Sequence, residues 1–178
     1  MTVLFTRIGG IFHRAVLPER VDHVLESVRP GSAGRYHRPG QRALYVSARA
    51  DWAAVAVGPY HRDDGLPRLV VPLEIDAARA VDQRDEAACR ALGIDRDASN
   101  APWQAILAQG GEPPSWRNAD LARAAGADGI IDRSRGEPGA WHVTLFRWNE
   151  PGAPQVRVCG AGVPAVFHAR YAPFGGGG

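Results

Sequence analysis

The stretch Gly34-Arg35-Tyr36-His37-Arg38-Pro39-Gly40-Gln41-Arg42-Ala43-Leu44-Tyr45-Val46-Ser47 changes character halfway along. Its first part is a basic loop: three arginines and one histidine fall within eight residues, Arg35 to Arg42. Pro39-Gly40 predicts a turn, and Ala43 to Val46 reads as a short extended apolar run. A turn-locked cationic loop can hold an anion with little reorganisation. Arginine suits this best, because its planar fork grips a phosphate or carboxylate through paired hydrogen bonds. Tyr36 and Tyr45 bracket the loop with rings on which a flat group could stack. Phosphate plus ring points to a nucleotide. A solvated basic surface hairpin accounts equally well for this stretch taken alone.

Outward from the loop, apolar runs and breakers predict a mixture of strands and helices. Val3–Ile8 and Ile11–Val16 read as two strands joined by a turn at Gly9-Gly10, the second carrying His13 and Arg14. Pro18 opens a helix to about Val28, with Val21, Val24, Leu25 and Val28 at helical spacing. Beyond Ser47, Asp51 caps a short helix over residues 52–57 that Gly58-Pro59 stops, leaving residues 60–65 as a polar loop. Residues 69–75 form an apolar central strand despite Pro72. Helices are expected over 82–92, 101–109 and from Ser115 to about Ala125, and strands over 129–132, 142–148 and 155–159. The order has no regular βαβ alternation, so the fold class is α+β. A single domain over residues 1–174 is expected, with Gly175–Gly178 as a disordered tail.

Composition removes several classes of function. The 178 residues carry a net charge of +2, too balanced for nucleic-acid binding by bulk electrostatics. No apolar run approaches a membrane span, and the first residues lack a signal-peptide core, so the cytoplasm is the expected location. The 21 basic residues are all arginine, so no P-loop lysine exists, and there is no Gly-x-Gly-x-x-Gly after a strand. Cys89 and Cys159 are isolated and read as small core residues. The six histidines lack metal-ligand spacing, so no metal site is expected. Ser134 sits at a strand exit between Arg133 and Arg135. It is either a turn serine or a hydroxyl presented to a ligand.

Three motifs in order, Phe12-His13-Arg14-Ala15-Val16, then Gly34 to Ser47, then Asp128-Gly129-Ile130-Ile131-Asp132-Arg133-Ser134-Arg135, resemble the RES domain. The family is named for an Arg, a Glu and a Ser. Arg35 and Ser134 resemble the first and last, whereas the helix over 52–57 carries no acid where the Glu is expected. The resemblance implies a fold like that of ADP-ribosyltransferases, with a split, mainly antiparallel sheet and flanking helices. It also implies a toxin of a toxin–antitoxin module that uses NAD+ as substrate, restrained by an antitoxin with a helix-turn-helix DNA-binding part. Within it, Arg14 and Arg35 are expected to clamp the pyrophosphate and Tyr45 to stack on nicotinamide. Ser47 or Ser134 is expected to bond the carboxamide or a ribose hydroxyl, and His61 to stand in as base. The acceptor expected for the ADP-ribose is a host protein, such as phosphoribosyl pyrophosphate synthetase. The alternatives are an NAD+ glycohydrolase or phosphorolase, and a non-catalytic nucleotide- or antitoxin-binding module.

Overall fold

The computed structural model describes residues 4–173. The predicted start of the first strand at Val3 and the glycines 175–178 lie outside the described residues. Seven strands join in one sheet: β1 (Thr6–Val16), β2 (Leu44–Ser47), β3 (Leu69–Asp82), β4 (Gly129–Arg133), β5 (Trp141–Leu145), β6 (Val156–Val158) and β7 (Val163–Pro164). Four helices accompany them: α1 (Ala50–Asp64), α2 (Glu86–Leu92), α3 (Trp103–Ala108) and α4 (Ser115–Ala124). This is the α+β class expected. All strand pairs are antiparallel except β3 with β4.

The strand order is β1-β2-β5-β4-β3-β6, and β1 also pairs β3. The pairings therefore close into a ring of five strands with an inner and an outer face. Alternation along each strand sorts the side chains between them. Phe12, Leu44, Val46, Leu73, Ile75, Ile131, Val143 and Leu145 share the inner core, which Val24 and Trp148 also enter. Ile130 and Val81 point outward, where Cys89 of α2 and Ala119 and Ala122 of α4 cover them together with Tyr36. Burying each Leu- or Ile-sized side chain stabilises the fold by about 1.5–3 kcal/mol relative to exposure.

Besides β3, which runs past the expected 69–75 to Asp82 so that the helix expected over 82–92 begins only at Glu86, four elements differ from the sequence expectation. The two strands predicted around Gly9-Gly10 are one, β1, because the glycines make a bulge. The register against β3 shifts between Ile8 and Gly10, and Gly10 has φ of +100°. The predicted helix after Pro18 is only a 3-10 segment, Pro18–His23. Val24 N and Glu26 N make only i−3 bonds, to Val21 and His23, while the Arg14 guanidinium takes the Val24 and Glu26 carbonyls and Ser27 Oγ accepts from Ala43 N, so the segment is tied to the strands rather than continued as an α-helix. Ser115 does not cap α4 with its side chain. Its hydroxyl donates to the Arg35 carbonyl.

The fourth difference bears most on the site. Helix α1 does not stop at Gly58-Pro59 but continues to Asp64 and ends on Gly65, which has φ of +67°. A Cβ at Gly58 would lie 2.6 Å from the Tyr171 ring. The glycine is thus there for a close tertiary approach, and that packing carries the helix across a proline which local propensity reads as a stop.

Candidate active site

The basic loop is fastened from three sides. Gly34 and His37 form an isolated bridge. From α4, Ser115 Oγ donates to the Arg35 carbonyl (2.6 Å), Trp116 Nε1 to the Gly34 carbonyl (2.7 Å) and Arg123 to the Tyr36 carbonyl (2.9 Å). From β2, Tyr45 Oη accepts from Tyr36 N (3.2 Å) and bonds His37 Nδ1 (2.7 Å). Gly34 is obligatory: a Cβ there would fall 2.4 Å from the His37 ring and 2.7 Å from Tyr45 Oη. Burial, with the charge of Arg123 adding to it, pushes the His37 imidazole down to about 4.

This frame aims Arg35 at the segment before α3. Its guanidinium donates to the carbonyls of Ser99 (2.6 Å) and Ala101 (3.0 Å). Arg135 donates to the same Ser99 carbonyl (2.5 Å) and forms an ion pair with Asp132. Two guanidiniums therefore converge on one carbonyl oxygen. Burial, and after it the charge of Arg135, lowers the Arg35 pKa. An anion held between them would relieve that repulsion. The Ser99 loop is itself held by a buried amide. Gln83 Oε1 accepts from Ser99 Oγ (2.6 Å) and Asn118 Nδ2 (3.1 Å), while Gln83 Nε2 donates to Tyr36 Oη (3.0 Å).

Tyr60, on α1, is the aromatic wall. Its hydroxyl pKa is raised by burial and lowered by the charge of Arg35, and it acts in turn on Tyr45. The residue nonetheless stays 44% exposed, so part of it is open to a ligand. The sequence reading missed Tyr60 because it placed residues 60–65 in a loop.

The site residues expected from sequence are not all brought together. Arg35 and Tyr45 lie in this cluster, Tyr45 with its hydroxyl engaged by the loop. Ser47 is two residues further on the same outer face, and its Oγ bonds His142 Nδ1 at 2.7 Å. Burial pushes the His142 imidazole down to about 4. Ser134 Oγ accepts from the backbone N–H groups of Gly136 (3.2 Å) and Glu137 (3.1 Å), so it braces the turn that presents Arg135. Its own proton remains available to donate.

Arg14 must be removed from the clamp. The pairing of His13 with Ser47 puts His13 on the outer face, and alternation sends Arg14 to the inner one. There it donates to the Val24 and Glu26 carbonyls, and burial pushes it down to about 10. His61 is also engaged elsewhere: its ring stacks on Phe167 at 3.9 Å and Nδ1 bonds the Leu66 carbonyl (2.8 Å). Arg135 takes the place next to Arg35 that Arg14 was expected to fill. A cavity of about 520 Å³ lies beside the cluster and shares Asp132 and Gln83 with it, but not the paired arginines.

The family model described as RES domain matches residues 12–168, and the chain belongs to that family. No curated protein matches it. Among solved structures it is similar to a chain from the crystal structure of the M. tuberculosis MbcT–MbcA toxin–antitoxin complex. The TM-score is 0.63 at 13% identity, over 90% of this chain and 86% of that one. At that identity the likeness establishes the fold, which is the one that the RES resemblance implies. Among the described residues no helix is long and apolar enough to cross a membrane.

Proposed function

We propose that this chain is a toxin that uses NAD+, breaks its nicotinamide–ribose bond and passes ADP-ribose to a protein acceptor. The observation that carries the reading is the convergence of Arg35 and Arg135 on the Ser99 carbonyl, with the partly exposed Tyr60 near Arg35. Paired arginine forks fit a pyrophosphate, and the tyrosine fits the flat ring of the leaving group. When the glycosidic bond breaks, its electron pair goes to the ring nitrogen and neutral nicotinamide departs. Positive charge develops on the ribose, as in glycoside cleavage.

The choice of acceptor rests on α1. Of its carboxylates, Asp51 pairs with Arg49, Asp63 with Arg62 and Asp64 with Arg68, so the acids of this helix are occupied. Hydrolysis needs a positioned base, whereas a protein acceptor brings its own nucleophile, oriented by the interface. The MbcT–MbcA complex supports an antitoxin partner for this chain as well. The partner's acidic or carboxylate-bearing segment is expected over Arg35 and Arg135, on the outer face only.

The test is nicotinamide release from labelled NAD+ by the pure protein, with and without host lysate. Slow release alone and faster release with label on a host protein is the expected result. Rapid release with no labelled protein would make it a glycohydrolase or, if phosphate accelerates it, a phosphorolase. No release under any condition would leave a nucleotide- or antitoxin-binding module.

A further inference from the structure

Helix α1 offers no free carboxylate beside Tyr60, its acids being paired with Arg49, Arg62 and Arg68. Ala56 lies one turn before Tyr60, and residues four apart share a helix face. Ala56 is exposed, so the α1 face that carries Tyr60 presents only a methyl group there. A carboxylate does stand beside the paired arginines. Asp132 is the last but one residue of β4, on the outer face, paired with His142 of β5, which is paired in turn with Ser47 of β2. The three form one cross-strand row, and directly paired side chains lie about 5 Å apart. Asp132 is 8% exposed, ion-paired to Arg135, and close enough to Arg35, Tyr36 and His142 for its charge to act on all three. Its charge offsets part of the repulsion between the two guanidiniums. A carboxylate among phosphate-binding arginines also weakens their grip on an anion, so a second role for it can be separated from charge balance by measuring binding and rate apart.

We propose that Asp132 supplies the carboxylate that α1 lacks, accepting a hydrogen bond from the ribose and stabilising the positive charge that develops at its anomeric carbon. The inference rests on the NAD+ reading above. The nicotinamide–ribose bond breaks with both electrons going to nicotinamide. The acceptor oxygen then bonds the anomeric carbon, and its proton passes to solvent. Asp132 remains a carboxylate throughout. Held by Arg135, it acts by its charge rather than as the base that hydrolysis requires, which agrees with a protein acceptor. His142, tied to Ser47, fixes the row and is a positioning residue.

The experiment compares wild type, Asp132→Asn, Ala56→Glu and the double variant. It measures the dissociation constant for NAD+ by calorimetry and single-turnover nicotinamide release, with lysate present. Expected is a fall in release of about 100-fold for Asp132→Asn, while NAD+ binds as well or more tightly because a negative charge has left the clamp. Ala56→Glu, which places a carboxylate one turn before Tyr60 on the same helix face, should restore at least a tenth of the wild-type rate to Asp132→Asn. A rate for Asp132→Asn within threefold of wild type would overturn the proposal. So would a loss of rate accompanied by weaker NAD+ binding and no recovery in the double variant, which is the pattern of a residue that merely holds Arg135. Should Asp132→Asn not fold, Asp132→Ser, which can still accept from Arg135, is read by the same criteria. A wild-type protein that neither binds nor cleaves NAD+ would instead sink the reading on which this rests, and the proposal with it.

Discussion

Arg14 and Arg35 look alike at short range and differ at long range. Each is largely withdrawn from solvent, and each donates to two backbone carbonyls. Arg14 does so on the inner face of the sheet, where it ties the 3-10 segment over the ring of strands. Arg35 does so on the outer face, with a second guanidinium at the same carbonyl and an exposed tyrosine beside it. An arginine bonded to carbonyls is therefore a brace by default. The neighbours that make it a binding group are a second guanidinium on the same carbonyl and an exposed tyrosine.

The sharpest way to break this comparison is to remove each arginine. Arg35→Ala should lose about 2–5 kcal/mol of ligand binding and abolish growth arrest while the protein stays folded, with Arg135 still bonding the Ser99 carbonyl. Arg14→Ala should do the reverse. It strands the carbonyl of buried Val24 at a cost of about 1–3 kcal/mol in denaturant melts, with activity per folded molecule retained. Undiminished toxicity from soluble Arg35→Ala, or loss of NAD+ binding in folded Arg14→Ala, would dissolve the distinction.

The two faces should also differ in their response to acid. His37 and His142, both outside the ring, are held neutral with values near 4 against an ordinary 6.5. Between those values the unfolded chain binds protons that the folded chain refuses, so stability falls as pH drops from about 6.5 toward about 4. The loss should be on the order of 1–2 kcal/mol per histidine by pH 5. Arg14, pushed down only to about 10, stays charged throughout this window. Urea melts at pH 7 and pH 5 measure the slope, and His142→Gln should flatten it. An unchanged slope would mean that the imidazole is not buried as described.

The smallest contrast is between neighbours on α1. Tyr60→Ala should weaken NAD+ binding by about 0.5–1.5 kcal/mol, the worth of one aromatic contact. His61→Ala should leave binding and turnover unchanged and cost less than about 1 kcal/mol of stability, from its stack on Phe167. A turnover defect in His61→Ala with normal binding would return the histidine to the chemistry.

What could be read from sequence follows the range of the forces involved. The basic loop and β2 were legible because Pro39, Gly40 and the apolar run after them act locally. Assigning Arg14 to the clamp failed because a side chain's face depends on register, here on His13 meeting Ser47, and a one-residue slip reverses it. Arg135 stood in plain view beside Ser134, but its pairing with Arg35 runs through the Ser99 carbonyl, which no local pattern reports. Tyr60 and Asp132 were missed for similar reasons. One needed α1 to pass Pro59 under the Tyr171 ring, and the other gains meaning only when β4, β5 and β2 lie side by side.

That tyrosine ring has a consequence in time. Tyr171 follows every residue of the cleft in the order of synthesis. It packs against Gly58 and covers Gly136, in the turn beyond Arg135. While the chain is still being made, the arginine loop and both strands beneath it exist before the residue that presses α1 into place. At about 5–20 residues per second that interval lasts a few seconds. A nascent copy still on the ribosome should therefore have its cations but not its aromatic wall, so ligand binding is expected only once Tyr171 has arrived.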